Sequence, residues 1–223
     1  MAHCLVTGAN RGIGLALCTL LADRGDQVIA ACRTGSKALD ALGVRVETGV
    51  DVGDPDSVRR LAKSLEGEAL DLLINNAGVL RRDTLGGLQG EALEDLYLQF
   101  RVNSVGPLLV TQALLGNLQP GAKVGIVTSR MGSVGDNTSG GYYGYRMSKA
   151  AVNAAGKSLA MDLKDRGIAV ALLHPGYVRT EMVGRGGDVE PEQAAAGLIA
   201  RLDALTLGTT GGFWHAKGQE LPW

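Results

Sequence analysis

Three glycines lie in a turn near the N-terminus, between a short apolar segment and a segment with helical periodicity. Residues 3–7 have the pattern of a buried strand, residues 15–24 that of a helix, and residues 27–32 that of a second buried strand. This order predicts a βαβ unit with two parallel strands. Parallel strands need helices on the faces of their sheet, so the unit predicts an α/β fold.

The spacing of the glycines, Gly8-x-x-x-Gly12-x-Gly14, indicates a phosphate site. At a strand-to-helix junction, backbone N–H groups and the positive end of the helix face an anion, and glycines let a pyrophosphate approach closely. A glycine-rich turn can also be purely structural. Its position, directly after the first strand and before a helix, favours dinucleotide binding.

Composition and charge limit the possible functions. The chain has 223 residues, of which 45% are hydrophobic and 20% charged, which suits one domain spanning residues 1–223. Its net charge of −1 provides no basic surface for nucleic acid or an anionic membrane. No apolar run approaches the ~20 residues that span a bilayer, and the N-terminus enters a strand without an export signal, which predicts a cytoplasmic protein.

Cysteine and histidine form no metal motif in this sequence. The cysteines are widely spaced within apolar segments, and neither a C-x-x-C pair nor a Cys/His cluster occurs. We therefore expect no bound metal and three buried thiols, at Cys4, Cys18 and Cys32. The three histidines lie on or beside strands and are interpreted as structural: His3, His174 and His215.

Five further strands alternate with helices along the chain. They are predicted at residues 44–50, 70–74, 122–128, 168–174 and 211–215. Helices are predicted from Asp54-Pro55, across residues 90–118 with a break near Pro107, through residues 145–166, and from Pro191. The alternation predicts a doubly wound, mostly parallel seven-stranded sheet with helices on both faces.

A tyrosine and a lysine are spaced for joint chemistry at the start of a stretch with helical periodicity, within residues 141–152. Tyr145 and Lys149 are four residues apart, and such positions share one face of a helix, so a phenol and an ammonium can enter one site. Tyr142 and Tyr143 lie close by, but neither precedes a lysine by four residues. The same spacing also arises by accident on exposed helices, so its meaning depends on the other motifs.

Four motifs resemble those of the short-chain dehydrogenase/reductase superfamily and occur in its order. They are Thr-Gly-x-x-x-Gly-Ile-Gly at 7–14, Asn-Asn-Ala-Gly at 75–78, Tyr-x-x-x-Lys at 145–149 and Pro-Gly-x-Val-x-Thr at 175–180. The ending Gly-Gln-Glu-Leu-Pro-Trp is similar to the subgroup of the myxobacterial C-factor, insect sniffer and related carbonyl reductases. The resemblance implies a single-domain Rossmann fold.

The resemblance also implies roles for individual residues. Tyr145 is the general acid, assisted by Lys149, and Ser129 polarises the substrate oxygen. Asn103 holds a relay water through its backbone, although it could equally cap a helix. Ser133 is an alternative to Ser129, because the interval from Ser129 to Tyr145 is longer than usual. The implied cofactor contacts are Gly8, Asn10, Arg11, Gly12, Ile13, Gly14, Arg33, Asp51, Val52, Asn76, Ala77, Gly78, Tyr145, Lys149, Pro175, Gly176, Val178 and Thr180.

Charge near the second strand favours NADP(H) over NAD(H). A free adenosine 2′-hydroxyl calls for a carboxylate at the end of that strand, but the sequence there is Cys32-Arg33-Thr34. Arg33, and Arg11 within the glycine turn, can bind a 2′-phosphate through charge-assisted hydrogen bonds. The alternative is that both arginines are solvated surface residues.

Together these residues predict an NADPH-dependent oxidoreductase that acts on a small carbonyl or alcohol substrate, with carbonyl reduction as the expected reaction. The alternatives are a dinucleotide-binding signalling or regulatory protein, and an alcohol or sugar dehydrogenase working in the oxidising direction. We expect loops 80–90, 136–144 and 181–190 to line the substrate pocket. The helices that carry Asn103 and Tyr145 provide a surface for a homodimer or homotetramer.

Overall fold

A sheet of seven strands forms the centre of the computed structural model, which describes residues 1–223. The strands are β1 (His3–Thr7), β2 (Gln27–Ala31), β3 (Arg45–Glu47), β4 (Leu70–Asn75), β5 (Leu118–Val127), β6 (Ala169–His174) and β7 (Gly212–His215). Their order is β3-β2-β1-β4-β5-β6-β7, and all neighbours are parallel. The predicted sheet is confirmed, and the strand order reverses between β1 and β4, where open α/β sheets bind ligands.

Seven α-helices cover the two faces of this sheet. They are α1 (Gly12–Asp23), α2 (Lys37–Asp40), α3 (Pro55–Ser64), α4 (Glu91–Phe100), α5 (Gly106–Ala113), α6 (Tyr143–Lys164) and α7 (Pro191–Asp203). Helices α1 and α7 bury Leu17 and Leu198 in one apolar cluster, whereas α3, α5 and α6 bury Val58, Val110 and Val152 in another. Cys4 and Leu5, which are neighbours on β1, enter opposite clusters because successive strand residues face opposite sides.

Two helices begin at the prolines that the sequence predicts. The Asp54 side chain accepts a hydrogen bond from the N–H of Asp56, and Pro55 is the first residue of α3. Helix α7 begins at Pro191 with a capping box between Glu190 and Gln193. These capping residues determine where α3 and α7 begin, and therefore where the preceding loops end.

The long helix predicted across residues 90–118 is divided in the structure. A wide π-type turn, Arg101–Val105, separates α4 from α5, and the N–H of Gly106 bonds to the carbonyl oxygen of Arg101 five residues back. Pro107 lacks an N–H, so it cannot bond to the carbonyl of Asn103 as an α-helix requires. The predicted break is therefore confirmed, slightly upstream of the proline.

Two strand boundaries differ from the prediction. Strand β3 ends at Glu47 rather than at residue 50, because Gly49 adopts a positive φ of 71° and turns the chain. Asp51 thus lies beyond the strand. Strand β5 begins at Leu118 rather than at residue 122, because Leu118 already pairs with Leu70 before an irregularity in the register.

The cysteines are free and buried, as predicted. Burial raises the pKa of the Cys4 and Cys18 thiols to about 12, so both remain neutral at physiological pH. None of the helices combines the length and apolar character needed to cross a membrane.

Candidate active site

A cavity of about 1430 Å³ opens at the carboxyl ends of the strands, beside the reversal between β1 and β4. This exceeds the roughly 300–1,000 Å³ of a pocket for one small ligand, so it offers room for a cofactor and a substrate. Every predicted cofactor contact lines it: Gly8, Asn10, Arg11, Gly12, Ile13, Gly14, Arg33, Asp51, Val52, Asn76, Ala77, Gly78, Tyr145, Lys149, Pro175, Gly176, Val178 and Thr180.

The glycine turn leaves no space for larger residues. A Cβ atom at Gly14 would lie 2.1 Å from the carbonyl oxygen of Gly8, and Gly8 itself has a φ of 66°. Helix α1 begins within this turn, at Gly12, and no side chain caps it. Its first N–H groups are therefore available to an anion in the cavity, which fits a pyrophosphate.

The Asn-Asn-Ala-Gly segment braces the glycine turn against β4. The hydroxyl oxygen of Thr7 accepts hydrogen bonds from the N–H groups of Asn76 (3.0 Å) and Ala77 (3.1 Å). The Asn76 side-chain amide donates to the carbonyls of Thr7 and Gly8 at 3.0 and 3.2 Å. These bonds fix the wall of the cavity where the two central strands diverge.

The two arginines predicted for a 2′-phosphate differ in their surroundings. Arg33 is exposed after β2, lines the cavity and forms no ion pair. Arg11 instead pairs with Glu181 at 2.9 Å, and both side chains are largely exposed. Asp51 accepts a hydrogen bond from the N–H of Gly53 and so stabilises its own turn. Arg33 is thus the arginine best placed for a phosphate.

Tyr145 and Lys149 enter the cavity from one face of α6, one turn apart. The Lys149 ammonium lies 5.8 Å from the centre of the Tyr145 ring and donates to the carbonyl oxygen of Val127 at 2.9 Å. Lys149 is only 5% exposed. A buried ammonium with one protein acceptor has further N–H groups available for ligand hydroxyls.

Of the two candidate serines, the structure favours Ser129. Ser129 follows β5 and lines the cavity beside Tyr145, and its Oγ accepts a hydrogen bond from the N–H of Met131. Ser133 is buried outside the cavity lining, and its Oγ accepts a hydrogen bond from the N–H of Asp136. The extra residues before Tyr145 therefore lie in the loop after Ser129.

Asn103 is the one predicted catalytic residue that does not line the cavity. Its side chain is buried behind the wall, where it accepts a hydrogen bond from the N–H of Val79 and donates to the Val79 carbonyl, both at 2.8 Å. It also donates to the hydroxyl of Ser148 at 3.0 Å. The amide thus caps no helix but joins the loop after β4 to α6.

Burial dominates the ionisation of the pair on α6. It raises the pKa of the Tyr145 phenol to about 12, against a smaller opposing effect from a hydrogen bond with Ser129, and lowers the pKa of Lys149 to about 8. The protein alone therefore does not lower the pKa of the Tyr145 phenol, because desolvation outweighs the hydrogen bond with Ser129.

His174 also lines the cavity, at the end of β6, and contacts the His215 ring edge-on with centroids 4.9 Å apart. Burial, followed by the charge of His215, lowers its pKa to about 3, so the ring is neutral at physiological pH. The interpretation of His174 as purely structural overlooked its place in the wall.

Asp83 is a site-supporting residue that sequence reasoning missed. Its side chain is buried, and its carboxylate accepts hydrogen bonds from the N–H groups of Tyr143 and Gly144, the latter at 2.8 Å. It thereby caps α6, two residues before Tyr145, while Tyr142 adopts a left-handed conformation with φ of 52°. No spacing in the sequence connects loop 80–90 with α6, so only the fold reveals this contact.

The family model described as short chain dehydrogenase matches residues 2–190. The chain belongs to this family. It is 46% identical over 229 residues to 1-hydroxy-2-glutathionyl-2-methyl-3-butene dehydrogenase of Rhodococcus sp., with full coverage of both chains. It is also 43% identical over 157 residues to the C-signal protein of Myxococcus xanthus, covering 69% of this chain and 93% of that protein.

Solved structures of the short-chain dehydrogenase family share the complete fold. The NADPH-bound carbonyl reductase from chicken fatty liver has a TM-score of 0.90 and 31% identity, over 100% of this chain and 99% of the other. Carbonyl reductase Sniffer of D. melanogaster has a TM-score of 0.91 and 29% identity, with both chains fully covered. These relatives confirm the predicted superfamily and the subgroup of C-factor and sniffer.

Proposed function

We propose that the protein is an NADPH-dependent oxidoreductase that transfers hydride between the nicotinamide and a carbonyl or alcohol carbon. One observation carries the proposal: Ser129, Tyr145 and Lys149 line the same cavity as the glycine turn. A regulatory protein that only binds a dinucleotide has no need of this trio. The NADPH bound to the chicken carbonyl reductase supports the cofactor.

The residues that line the cavity fit NADPH. The first turn of α1 would hold the pyrophosphate, and the Arg33 guanidinium would hold the 2′-phosphate. Lys149 would donate to the hydroxyls of the nicotinamide ribose. The loop after β6 would hold the carboxamide through Pro175, Gly176, Val178 and Thr180. We further propose that residues 1–223 form one domain holding both cofactor and substrate.

When bound, the reduced nicotinamide supplies the hydride, and charge then develops on the substrate oxygen. The Ser129 hydroxyl donates a hydrogen bond to that oxygen, and Tyr145 donates its proton. Because its pKa lies near 12, Tyr145 is protonated at physiological pH, as reduction requires. The Lys149 ammonium would then favour the phenolate. A free phenol needs roughly 4 kcal/mol of such stabilisation to move from pKa ~10 to ~7, and the burial of Tyr145 adds to that requirement.

A water on the Asn103 carbonyl would return the proton to Tyr145 through Lys149, as the family resemblance implies. This carbonyl has no α-helical donor at Pro107, so its lone pairs are available to such a water. The Asn103 amide, bonded to Val79 and Ser148, keeps that carbonyl in place.

A second candidate is the reverse reaction on a glutathione-conjugated alcohol. It is favoured by the identity of 46% with the Rhodococcus dehydrogenase over the full length of both chains. In this direction the Tyr145 phenolate accepts the alcohol proton, so oxidation requires a higher pH than reduction. A cytoplasmic location and a homodimer or homotetramer stay predictions from the sequence.

The proposal is tested by NADPH consumption with a panel of ketones, aldehydes and quinones, with NADH as the cofactor control. The glutathione-conjugated alcohol with NADP⁺ tests the second candidate. Tyr145→Phe should lower kcat by at least about 10²-fold while NADPH affinity, measured by fluorescence titration, is kept. Normal turnover by this variant would contradict the mechanism.

Cofactor choice is tested with Arg33→Asp, which should shift the ratio of kcat/KM from NADPH toward NADH. Arg60→Asp is the matched control, because Arg60 is exposed on α3 and lies outside the cavity lining. An unchanged ratio in Arg33→Asp would reject the phosphate role of Arg33.

A further inference from the structure

The cavity carries a cationic excess in a protein with a net charge of −1. Nine cationic side chains line it but only four carboxylates, those of Asp51, Asp136, Glu181 and Glu190. Among the cations, two belong to the cofactor half at β1 and β2, and Lys149 belongs to the catalytic pair. The other six lie on the β4–β6 side: Arg81, Arg82, Arg130, Arg146, Arg179 and Arg185.

Three of these six arginines are neutralised by a carboxylate. The pairs are Arg81 with Asp95, Arg130 with Asp136, and Arg179 with Glu190. The remaining three form no ion pair: Arg82, Arg146 and Arg185. They come from separate parts of the cavity wall, namely the loop after β4, the first turns of α6 and the loop after β6.

Arg146 is the most constrained of the three unpaired arginines. It is half-buried, directly follows Tyr145, and donates only to neutral acceptors: the carbonyls of Gly141 (3.1 Å) and Met131 (3.4 Å) and the hydroxyl of Ser139 (2.8 Å). No carboxylate neutralises this guanidinium, so its positive field extends into the cavity.

Arg82 and Arg185 differ from Arg146 in being exposed at the rim. Neither side chain forms a hydrogen bond or ion pair within the protein. Both guanidinium groups therefore retain all their donors, and their planar forks match the two oxygens of a carboxylate. The proposed phosphate contacts of NADPH, at α1 and Arg33, leave both guanidinium groups unassigned.

We propose that Arg82, Arg146 and Arg185 form a subsite for a carboxylate carried by the substrate. Arg82 and Arg185 bind the carboxylate from two loops of the cavity wall, and Arg146 supplies fixed positive potential beside Tyr145. The substrate class is then a carbonyl compound, or the corresponding alcohol, with a carboxylate on its substituent. This inference rests on the proposed function, because the subsite acts on the substrate of the same reaction.

The test compares ketones that differ only in this charge. Levulinate and levulinamide form a short pair, and para-acetylbenzoate and para-acetylbenzamide form a longer one. With NADPH, kcat/KM for at least one acid should exceed that for its amide by about tenfold or more, and high salt should reduce the ratio. The double variant Arg82→Gln/Arg185→Gln should bring the ratio close to one.

The matched control for charge is Arg59→Gln/Arg60→Gln, because both residues are exposed on α3 outside the cavity lining and their loss removes the same net charge. This control should keep the ratio of the unmodified protein. Equal kcat/KM for acids and amides, or a ratio that survives Arg82→Gln/Arg185→Gln, would overturn the carboxylate subsite and leave the oxidoreductase intact. No turnover of any ketone or alcohol with either cofactor would overturn both.

Discussion

Replacing Asp83 by alanine should lower the free energy of unfolding by about 2–4 kcal/mol. The Asp83 carboxylate accepts two N–H groups at the start of α6, and no cation lies opposite it. Each charge-assisted bond contributes about 1.5–3 kcal/mol, and the positive end of the helix adds up to ~2 kcal/mol. The cost of burying a carboxylate offsets part of this sum.

Urea unfolding followed by circular dichroism measures the change in the free energy of unfolding. An unchanged m-value shows that the variant alters stability and not the surface exposed on unfolding. Asp83→Asn keeps one acceptor oxygen and loses the charge, so it should cost roughly half as much. Asp162→Ala is the matched control on the same helix, because Asp162 is exposed and has no side-chain partner. It should change stability by at most about 0.5 kcal/mol.

The same contact should affect catalysis, because Tyr145 lies in the turn that Asp83 caps. Asp83→Ala should lower kcat more than it changes the affinity for NADPH, since the first turn of α6 positions the phenol. The capping argument is refuted if the free energy of unfolding of Asp83→Ala lies within about 0.5 kcal/mol of that of the unmodified protein and the variant keeps its kcat.

Three further results are expected. Gly14→Ala should cost about 3 kcal/mol or more and abolish NADPH binding in a fluorescence titration, because its Cβ would lie 2.1 Å from a backbone oxygen, whereas Gly116→Ala has open space and should not. Ser129→Ala should lower kcat about 10²–10³-fold, and Ser133→Ala only a few-fold; the reverse order would reassign the serine. His174 has a pKa of about 3 when folded and 6.5 in the unfolded chain, so the unfolded state binds more protons between these values and stability falls as pH falls. In the unmodified protein, the free energy of unfolding measured in urea should fall by up to ~1.4 kcal/mol per pH unit between pH ~6 and ~4. His174→Asn should remove this contribution, and an unchanged pH dependence of stability in the variant would contradict the pKa shift.

Much of the fold could be predicted because its signals are local. A capped proline start fixed α3, and apolar runs placed all seven strands within a few residues. Prediction was weaker where the partner strand decides the boundary. Strand β5 starts four residues early because Leu118 pairs with Leu70, a contact across the chain that no local pattern contains.

The candidate site could likewise be predicted only in part. The predicted cofactor residues all line one cavity. Except for Tyr145 and Lys149 on α6, they lie in the segments after the carboxyl ends of parallel strands, and these ends meet at one edge of the sheet. Two contacts could not be predicted, because the partners lie far apart in the sequence. Asp83 contacts Gly144, 61 positions away, and Arg11 contacts Glu181, 170 positions away. Their residue types carry no spacing signal, and only packing determines which backbone or carboxylate they meet.

The ionisation of Tyr145 shows that a sequence motif predicts where side chains lie but not their protonation state. The i, i+4 spacing placed Lys149 on the correct face, but burial affects both groups in the direction of their neutral forms. The protein alone therefore holds a protonated phenol ready to donate, rather than a phenolate ready to accept. Reduction uses the form that the fold already stabilises, whereas oxidation must first remove that proton. The pH dependence of the two directions should consequently diverge, with oxidation rising toward alkaline pH and reduction falling.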